Sequence, residues 1–115
     1  PFVTILIPTF NCSQILPLTL DSIIQQHYPH YEILVIDGGS TDRTLEVVHG
    51  YHFPIRVIAA PIYEVYPILN QGIALAKGQY INILFPGDFY IYPQTLMQMM
   101  SLAVQQEMPD LVYCG

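Results

Sequence analysis

Glu32-Ile33-Leu34-Val35-Ile36-Asp37-Gly38-Gly39-Ser40-Thr41-Asp42 is the stretch on which the reading of this chain turns. Its apolar run of strand formers is nearly unbroken, as expected of a strand covered on both faces in a parallel sheet. The run stops at Asp37 and two glycines, and Ser40-Thr41-Asp42 then supplies side chains that can cap a helix. A carboxylate at the carboxyl end of a buried strand, beside a glycine turn and a helix start, is where open α/β sheets hold ligands. The same residues also suit an ordinary strand-turn-helix link in which Asp37 serves only the turn.

Working outward, residues 2–7 read as a first buried strand stopped by Pro8, followed by a polar turn over 9–13 with Asn11 or Ser13 available as N-cap. Leu16, Leu20, Ile23 and Ile24 form one helical stripe and predict a helix to about His27, with Pro17 tolerated in its first turn. Beyond the central strand, a second helix carries Leu45 and Val48 inward and ends near Gly50, and residues 55–59 form a third strand. Tyr66, Leu69, Ile73 and Ala76 predict a third helix closed by Gly78, residues 80–85 a fourth strand, and Leu96, Met99, Met100 and Ala103 a fourth helix opened by Pro93. A fifth strand begins at Leu111.

Strands alternating with helices over short links define an α/β, doubly wound, mostly parallel sheet with helices on both faces, a single domain over residues 1–115. Right-handed crossovers put strand carboxyl ends on one edge, so the turns after strands one, two and four are expected to converge there.

Hydrophobic residues make up 52% of the chain and charged residues only 10%, against roughly a quarter charged in ordinary soluble domains. Some apolar faces are therefore expected to meet further protein, and a homo-oligomer is one way to cover them. Three Lys and Arg against nine Asp and Glu give a net charge of −6 and no basic stripe, which argues against a nucleic-acid partner. Cys12 and Cys114 form no motif and read as reduced thiols. No run approaches the roughly 18 apolar residues of a membrane span, and with no leader visible the expected location is cytoplasmic, including the inner face of a membrane.

The place after the first strand holds Pro8-Thr9-Phe10-Asn11 rather than a glycine fingerprint, and Gly38-Gly39-Ser40 is not a P-loop. The converging turns suit a nucleotide differently: Phe10 to stack on a base, Asp37 to accept from a base N–H, and Asp88 to hold a divalent cation, Mg²⁺ or Mn²⁺, that neutralises a diphosphate. The metal matters because like charges at ~4 Å repel by about 1 kcal/mol per pair even in water, and this chain has few cations to offset that. Asp88 equally suits a simple Pro-Gly-Asp turn. The four histidines sit at helix ends and in loops and form no zinc motif.

These residues resemble a known family. The segments 3–11, Leu20-Asp21-Ser22-Ile23 with Gln25-Gln26, 32–44 and 70–81, in this order and spacing, are similar to the N-terminal half of glycosyltransferase family 2. The resemblance implies a GT-A fold and transfer of sugar from a nucleotide-sugar donor with inversion, usually with a divalent metal, in surface polysaccharide or glycoconjugate synthesis. It implies that Pro8, Thr9, Phe10 and Asn11 line the nucleotide, that Asp37 contacts the base, and that Gly39, Asn70, Gly72 and Gly87 belong to the same nucleotide-binding set. Asp88 falls on the last carboxylate of the family's Asp-x-Asp-Asp block. Here that block reads Phe85-Pro86-Gly87-Asp88, with two of three carboxylates absent. Leu69, Pro67 and Glu64 also depart from the pattern. The family's acceptor-binding half, which would meet a glycan or lipid-linked acceptor and supply the general base, has no counterpart in these residues. The competing expectation is a non-catalytic binding or assembly module on the same fold.

Overall fold

The computed structural model describes residues 1–106 and 111–113. Its elements run β1 (Val3–Thr9), α1 (Leu16–Ile24), β2 (Tyr31–Asp37), α2 (Thr44–His49), β3 (Ile55–Ala59), α3 (Val65–Leu75), β4 (Tyr80–Ile83), α4 (Thr95–Gln106) and β5 (Leu111–Tyr113). The strands form one sheet in the order β3-β2-β1-β4-β5, and every pairing is parallel. The α/β doubly wound expectation is therefore met. The chain winds from β1 out to β3 and then crosses back to β4 on the other side of β1, so the carboxyl ends of β1 and β4 flank a topological switch point.

Alternation along the strands divides the core in two. Val3, Ile5 and Ile7 with Ile33 and Val35 pack against Leu16, Leu20 and Ile23 of α1, Val48 of α2, and Leu96 and Met100 of α4. On the other face Leu6, Leu34, Ile36, Ile81 and Ile83 meet Ile68 of α3. Most of these side chains are fully buried, and each contributes about 1.5–3 kcal/mol relative to exposure.

Several local expectations shift for identifiable reasons. β1 continues through Pro8 to Thr9 instead of stopping. Odd residues of β1 turn their backbone toward β2, as in Gly38 N–H to Thr9 O (2.9 Å), and even ones toward β4, as in Leu84 N–H to Leu6 O (3.0 Å). Pairing with β4 ends at Leu6, so the N–H that Pro8 lacks falls where no ladder remains. α1 ends at Ile24 rather than near His27, its last turn tightened by Gln26 N–H bonding to Ile23 O (3.0 Å).

In α3 the face is rotated from the expected one. Ile68 and Gly72 are the buried residues, whereas Tyr66 and Ile73 are exposed. A Cβ at Gly72 would lie 2.5 Å from both Leu6 methyl carbons, so the missing side chain is what lets the helix settle on the sheet. α3 is capped by Ala76 and not by Gly78. Gly78 instead passes so close to β1 that a Cβ there would lie 2.4 Å from the Thr4 nitrogen.

Candidate nucleotide site at the carboxyl edge

Thr9 and Asp37 are paired neighbours at the ends of β1 and β2. Thr9 Oγ1 donates to Asp37 Oδ1 (2.7 Å), and so does Ser40 Oγ (2.6 Å). Asp37 Oδ2 accepts the N–H groups of Ser40 (2.8 Å) and Gly39 (3.1 Å). Gly39 reaches that position with φ of +93°, which glycine adopts freely. Burial would raise the Asp37 pKa, but the hydrogen bonds from Ser40, Thr9 and Gly39 together outweigh it and hold the group below its ordinary range. With 4% of Asp37 exposed and about four acceptor positions on a carboxylate, the side chain is committed to organising its own loop.

Asn11 does for the β1 turn what Asp37 does for the β2 turn. Its N–H donates to Ser40 Oγ (2.9 Å), and its Oδ1 accepts from the N–H groups of Thr41 (2.8 Å) and Asp42 (3.3 Å). It holds a positive φ of 46°, a conformation in which Asn is enriched. The expected capping of α1 by Asn11 or Ser13 is not seen, since α1 starts without a side-chain cap. The polar side chains instead stitch the two turns together. Asp42 accepts from Thr44 N–H (2.9 Å), from the Thr44 hydroxyl and from Ser13 N–H (3.2 Å), and Thr44 Oγ1 accepts Cys12 N–H (2.9 Å). The Thr44 hydroxyl is the main cause that pulls the Asp42 carboxyl down to about 2.

The third turn, after β4, follows the type II pattern of proline then positive-φ glycine, with Gly87 at φ +97° and Asp88 N–H donating to Phe85 O (2.8 Å). Asp88 Oδ2 reaches back to accept Phe85 N–H (3.1 Å), while Oδ1 has no hydrogen-bond partner among the described residues. Gly87 N–H donates to Thr19 Oγ1 on α1 (2.9 Å).

Thr9, Phe10, Asn11, Asp37 and Gly39 are thus gathered around two interlocked turns. Phe10 stacks on Tyr63 (5.8 Å between centroids, 27° between planes) and keeps 44% of its surface exposed. Gly38 backs onto the same tyrosine, with a Cβ placed 2.6 Å from Tyr63 Cα. Pro8 and Gly72 are buried in the packing, and Asn70 is exposed on α3. Two concavities open nearby. One of about 370 Å³ lies over Asn11, Ser13 and Asp42, and one of about 480 Å³ is lined by Gly87, Asp88, Phe89 and Tyr92. Asp37 lines neither of them. Thr19 is a participant that the sequence reading did not single out. Its signal is a hydroxyl inside an apolar helical stripe, where a buried polar group needs a partner.

Among the described residues no group of three His, Cys, Asp or Glu side chains stands ready to enclose a cation. The unpaired Oδ1 of Asp88 does fit a hard ion that takes one carboxylate oxygen and completes its shell from phosphate and water. In that arrangement Asp88 would hold the ion, and the ion would supply charge neutralisation for a diphosphate.

The order β3-β2-β1-β4 and the carboxyl-edge turns define a GT-A type α/β fold. Over residues 4–115 the sequence matches the model of Glycosyl transferase family 2, and the chain belongs to that family. It is 34% identical over 117 residues to a PGL/p-HBAD biosynthesis glycosyltransferase of Mycobacterium bovis, an alignment covering 98% of this chain and 46% of the relative. It is 32% identical over 99 residues to the chondroitin synthase of Pasteurella multocida, covering 84% of this chain and 10% of that protein. The chain thus spans less than half the length of these relatives. Among solved structures, the mannosyltransferase PcManGT of Pyrobaculum calidifontis in complex with GDP-Man and Mn²⁺ superposes with a TM-score of 0.84 at 25% identity, over 90% of this chain and 32% of that one. S. aureus TarS 1-349 in complex with UDP gives 0.85 at 22% identity, over 93% and 33%. Among the described residues no helix is long and apolar enough to cross a membrane.

Proposed function

We propose that this chain is the donor-binding portion of an inverting glycosyltransferase that uses a nucleoside diphosphate sugar in polysaccharide or glycoconjugate synthesis. The observation that carries the reading is the sharing of one parallel-sheet edge by the turns after β1, β2 and β4. Phe10 offers a half-exposed ring to a base. The Gly39–Ser40 loop presents a donor to a base edge when the Ser40 hydroxyl turns away from Asp37 Oδ1. Asn70 and the 87–88 turn border the sugar and diphosphate, with Asp88 holding Mg²⁺ or Mn²⁺ against the phosphates. In the whole enzyme a glycan or lipid-linked acceptor would meet a general base that this donor-binding portion does not itself supply. The metal-bound Mannosyltransferase PcManGT complex supports the cation, and the nucleotide complexes support the donor class.

Calorimetric titration with UDP and with GDP, in EDTA and in Mn²⁺, tests the reading. Binding strengthened by Mn²⁺, with the gain lost in Asp88→Ala, is the expected outcome, and absence of heat with either nucleotide overturns it. A second reading, a non-catalytic assembly module, is favoured by the closed Phe85-Pro86-Gly87-Asp88 turn with its single carboxylate. Light scattering that reports a tight homo-oligomer without metal-dependent nucleotide binding selects that alternative.

A further inference from the structure

Residues 19–26, the second half of α1 and the two residues after it, hold polar side chains that the donor site leaves unexplained. Thr19, Ser22 and Gln26 fall at i, i+3 and i+7, one stripe along α1 and its continuation. Each is bonded to the main chain that follows β4. Thr19 Oγ1 accepts Gly87 N–H (2.9 Å). Ser22 Oγ accepts Tyr90 N–H (3.1 Å) while donating to Thr19 O (2.8 Å). Gln26 Nε2 donates to Tyr92 O (2.9 Å), and its Oε1 accepts Leu96 N–H (2.9 Å), one of the donors that the start of α4 leaves open. Thr19 and Gln26 are buried, so the side-chain ends of their bonds are largely shielded from water.

The geometry points to Thr19, Ser22 and Gln26 as positioning residues for Asp88, setting its carboxylate through main-chain bonds on the segment that bears it. Leu84 N–H on Leu6 O (3.0 Å) fixes the chain before the turn, and the α1 row fixes it after. Because the bonds go to main chain, the side chains of Asp88, Phe89 and Tyr92 are left to face the concavity. This inference rests on the reading of Asp88 as the ligand of a diphosphate-bound cation. A site with one carboxylate has no second protein ligand to absorb a displacement, and Mg²⁺ demands near-ideal geometry.

Thr19→Val keeps the shape and removes the acceptor, while Thr19→Ser keeps the acceptor. The whole chain is titrated with UDP and GDP in EDTA and across a Mn²⁺ series. Thr19→Val is expected to raise the Mn²⁺ needed for half-maximal enhancement about tenfold, the scale of one net hydrogen bond, and to leave metal-free nucleotide affinity within about twofold. Thr19→Ser restores the wild-type Mn²⁺ dependence. Tyr51→Phe, which breaks the Tyr51–Asp21 bond elsewhere on α1, moves neither quantity. Amide exchange read in parallel shows Gly87 and Tyr90 accelerated in Thr19→Val with the amides of β1 and β2 unchanged, and Ser22→Ala serves as the second variant should the valine chain not fold. An unchanged Mn²⁺ dependence overturns the inference, as does an equal loss of metal-free and metal-dependent binding. Absence of nucleotide binding by the wild type overturns the donor-site reading and the inference with it, while an accelerated Gly87 amide would still separate a real clamp from a fault in the geometry.

Discussion

At the scale of single residues, Asp37 and Gly87 carry opposite kinds of constraint. Asp37 accepts four hydrogen bonds, and its removal strands different donors at different cost. Thr9 is fully buried, so its hydroxyl is left unpaired in Asp37→Ala, whereas Gly39 and Ser40 sit at the rim within reach of water. A loss of about 2 kcal/mol is expected from one stranded buried donor, read as a lower urea midpoint with an unchanged slope. Asp37→Asn retains one acceptor oxygen and should lose about half as much; equal stability of wild type and alanine variant would refute the bonding scheme. Gly87 is a conformational case, since a Cβ there meets only Ile15 Cδ1 at 3.7 Å. The cost of Gly87→Ala is therefore that of its φ, about 1–2 kcal/mol, and Gly87→Asn should cost less because Asn tolerates positive φ.

At the scale of elements, the sequence is most legible where one pattern has one interpretation. The nearly unbroken 32–36 run reads as a doubly covered strand and is one, and β3 lies at its expected bounds. α3 was not legible to the same degree because the helix is apolar around much of its circumference, so a stripe through Tyr66, Leu69, Ile73 and Ala76 competes with one through Ile68 and Gly72. What decides between them is an absence, the bare Gly72 that admits Leu6 and Ile36, and hydrophobic periodicity gives no weight to a residue without a side chain. Pro8 was similarly opaque: whether a proline ends a strand depends on which neighbour its nitrogen would face, a property of the sheet order. In the site, the residue types and turns were visible, but the cross-links were not. Asn11 reads as a cap until its partner turn is known, and Thr19 gains meaning only once Gly87 lies above it. Gly72→Ala tests the α3 reading directly. Overpacking against Leu6 costs about 1–3 kcal/mol, offset by roughly 1 kcal/mol of helix propensity, so a net loss of about 1 kcal/mol is expected. Pairing it with Leu6→Ala should recover part of that loss in a double-mutant cycle; strict additivity would place the two residues out of contact.

At the scale of the whole molecule, carboxylates pin the sheet at both edges. Asp37 and Asp42 bind the carboxyl-edge turns, while Glu32 accepts from Thr4 Oγ1 (2.6 Å), Lys77 N–H (2.8 Å) and Arg56 (2.9 Å) near the other end of β1 and β2. Burial would raise Glu32, yet the bonds from Thr4, Lys77 and Arg56 together lower it from its ordinary 4.5. Asp37 likewise lies below its ordinary 3.8, and Asp42 falls from 3.8 to about 2. A carboxyl group lowered in the folded state stabilises the fold above its unfolded pKa, and that contribution fades as pH falls toward the folded value. Stability should therefore be nearly flat from neutral pH to about 5 and then fall from about 4.5 through 2, Glu32 first and Asp42 last. Self-repulsion works in the opposite sense, since protonation relieves a net charge of −6. The exposed carboxylates that carry much of this charge are screened by salt, whereas the bonded ones make direct short contacts, so the destabilising trend wins at moderate ionic strength. Urea midpoints measured across that range for wild type and Glu32→Gln separate the two effects. The variant should be less stable at neutral pH and should merge with the wild type once Glu32 itself is protonated. A gap that stays constant down to pH 2 would mean that the Glu32 cluster acts through packing alone and that its charge contributes nothing to holding the sheet edge.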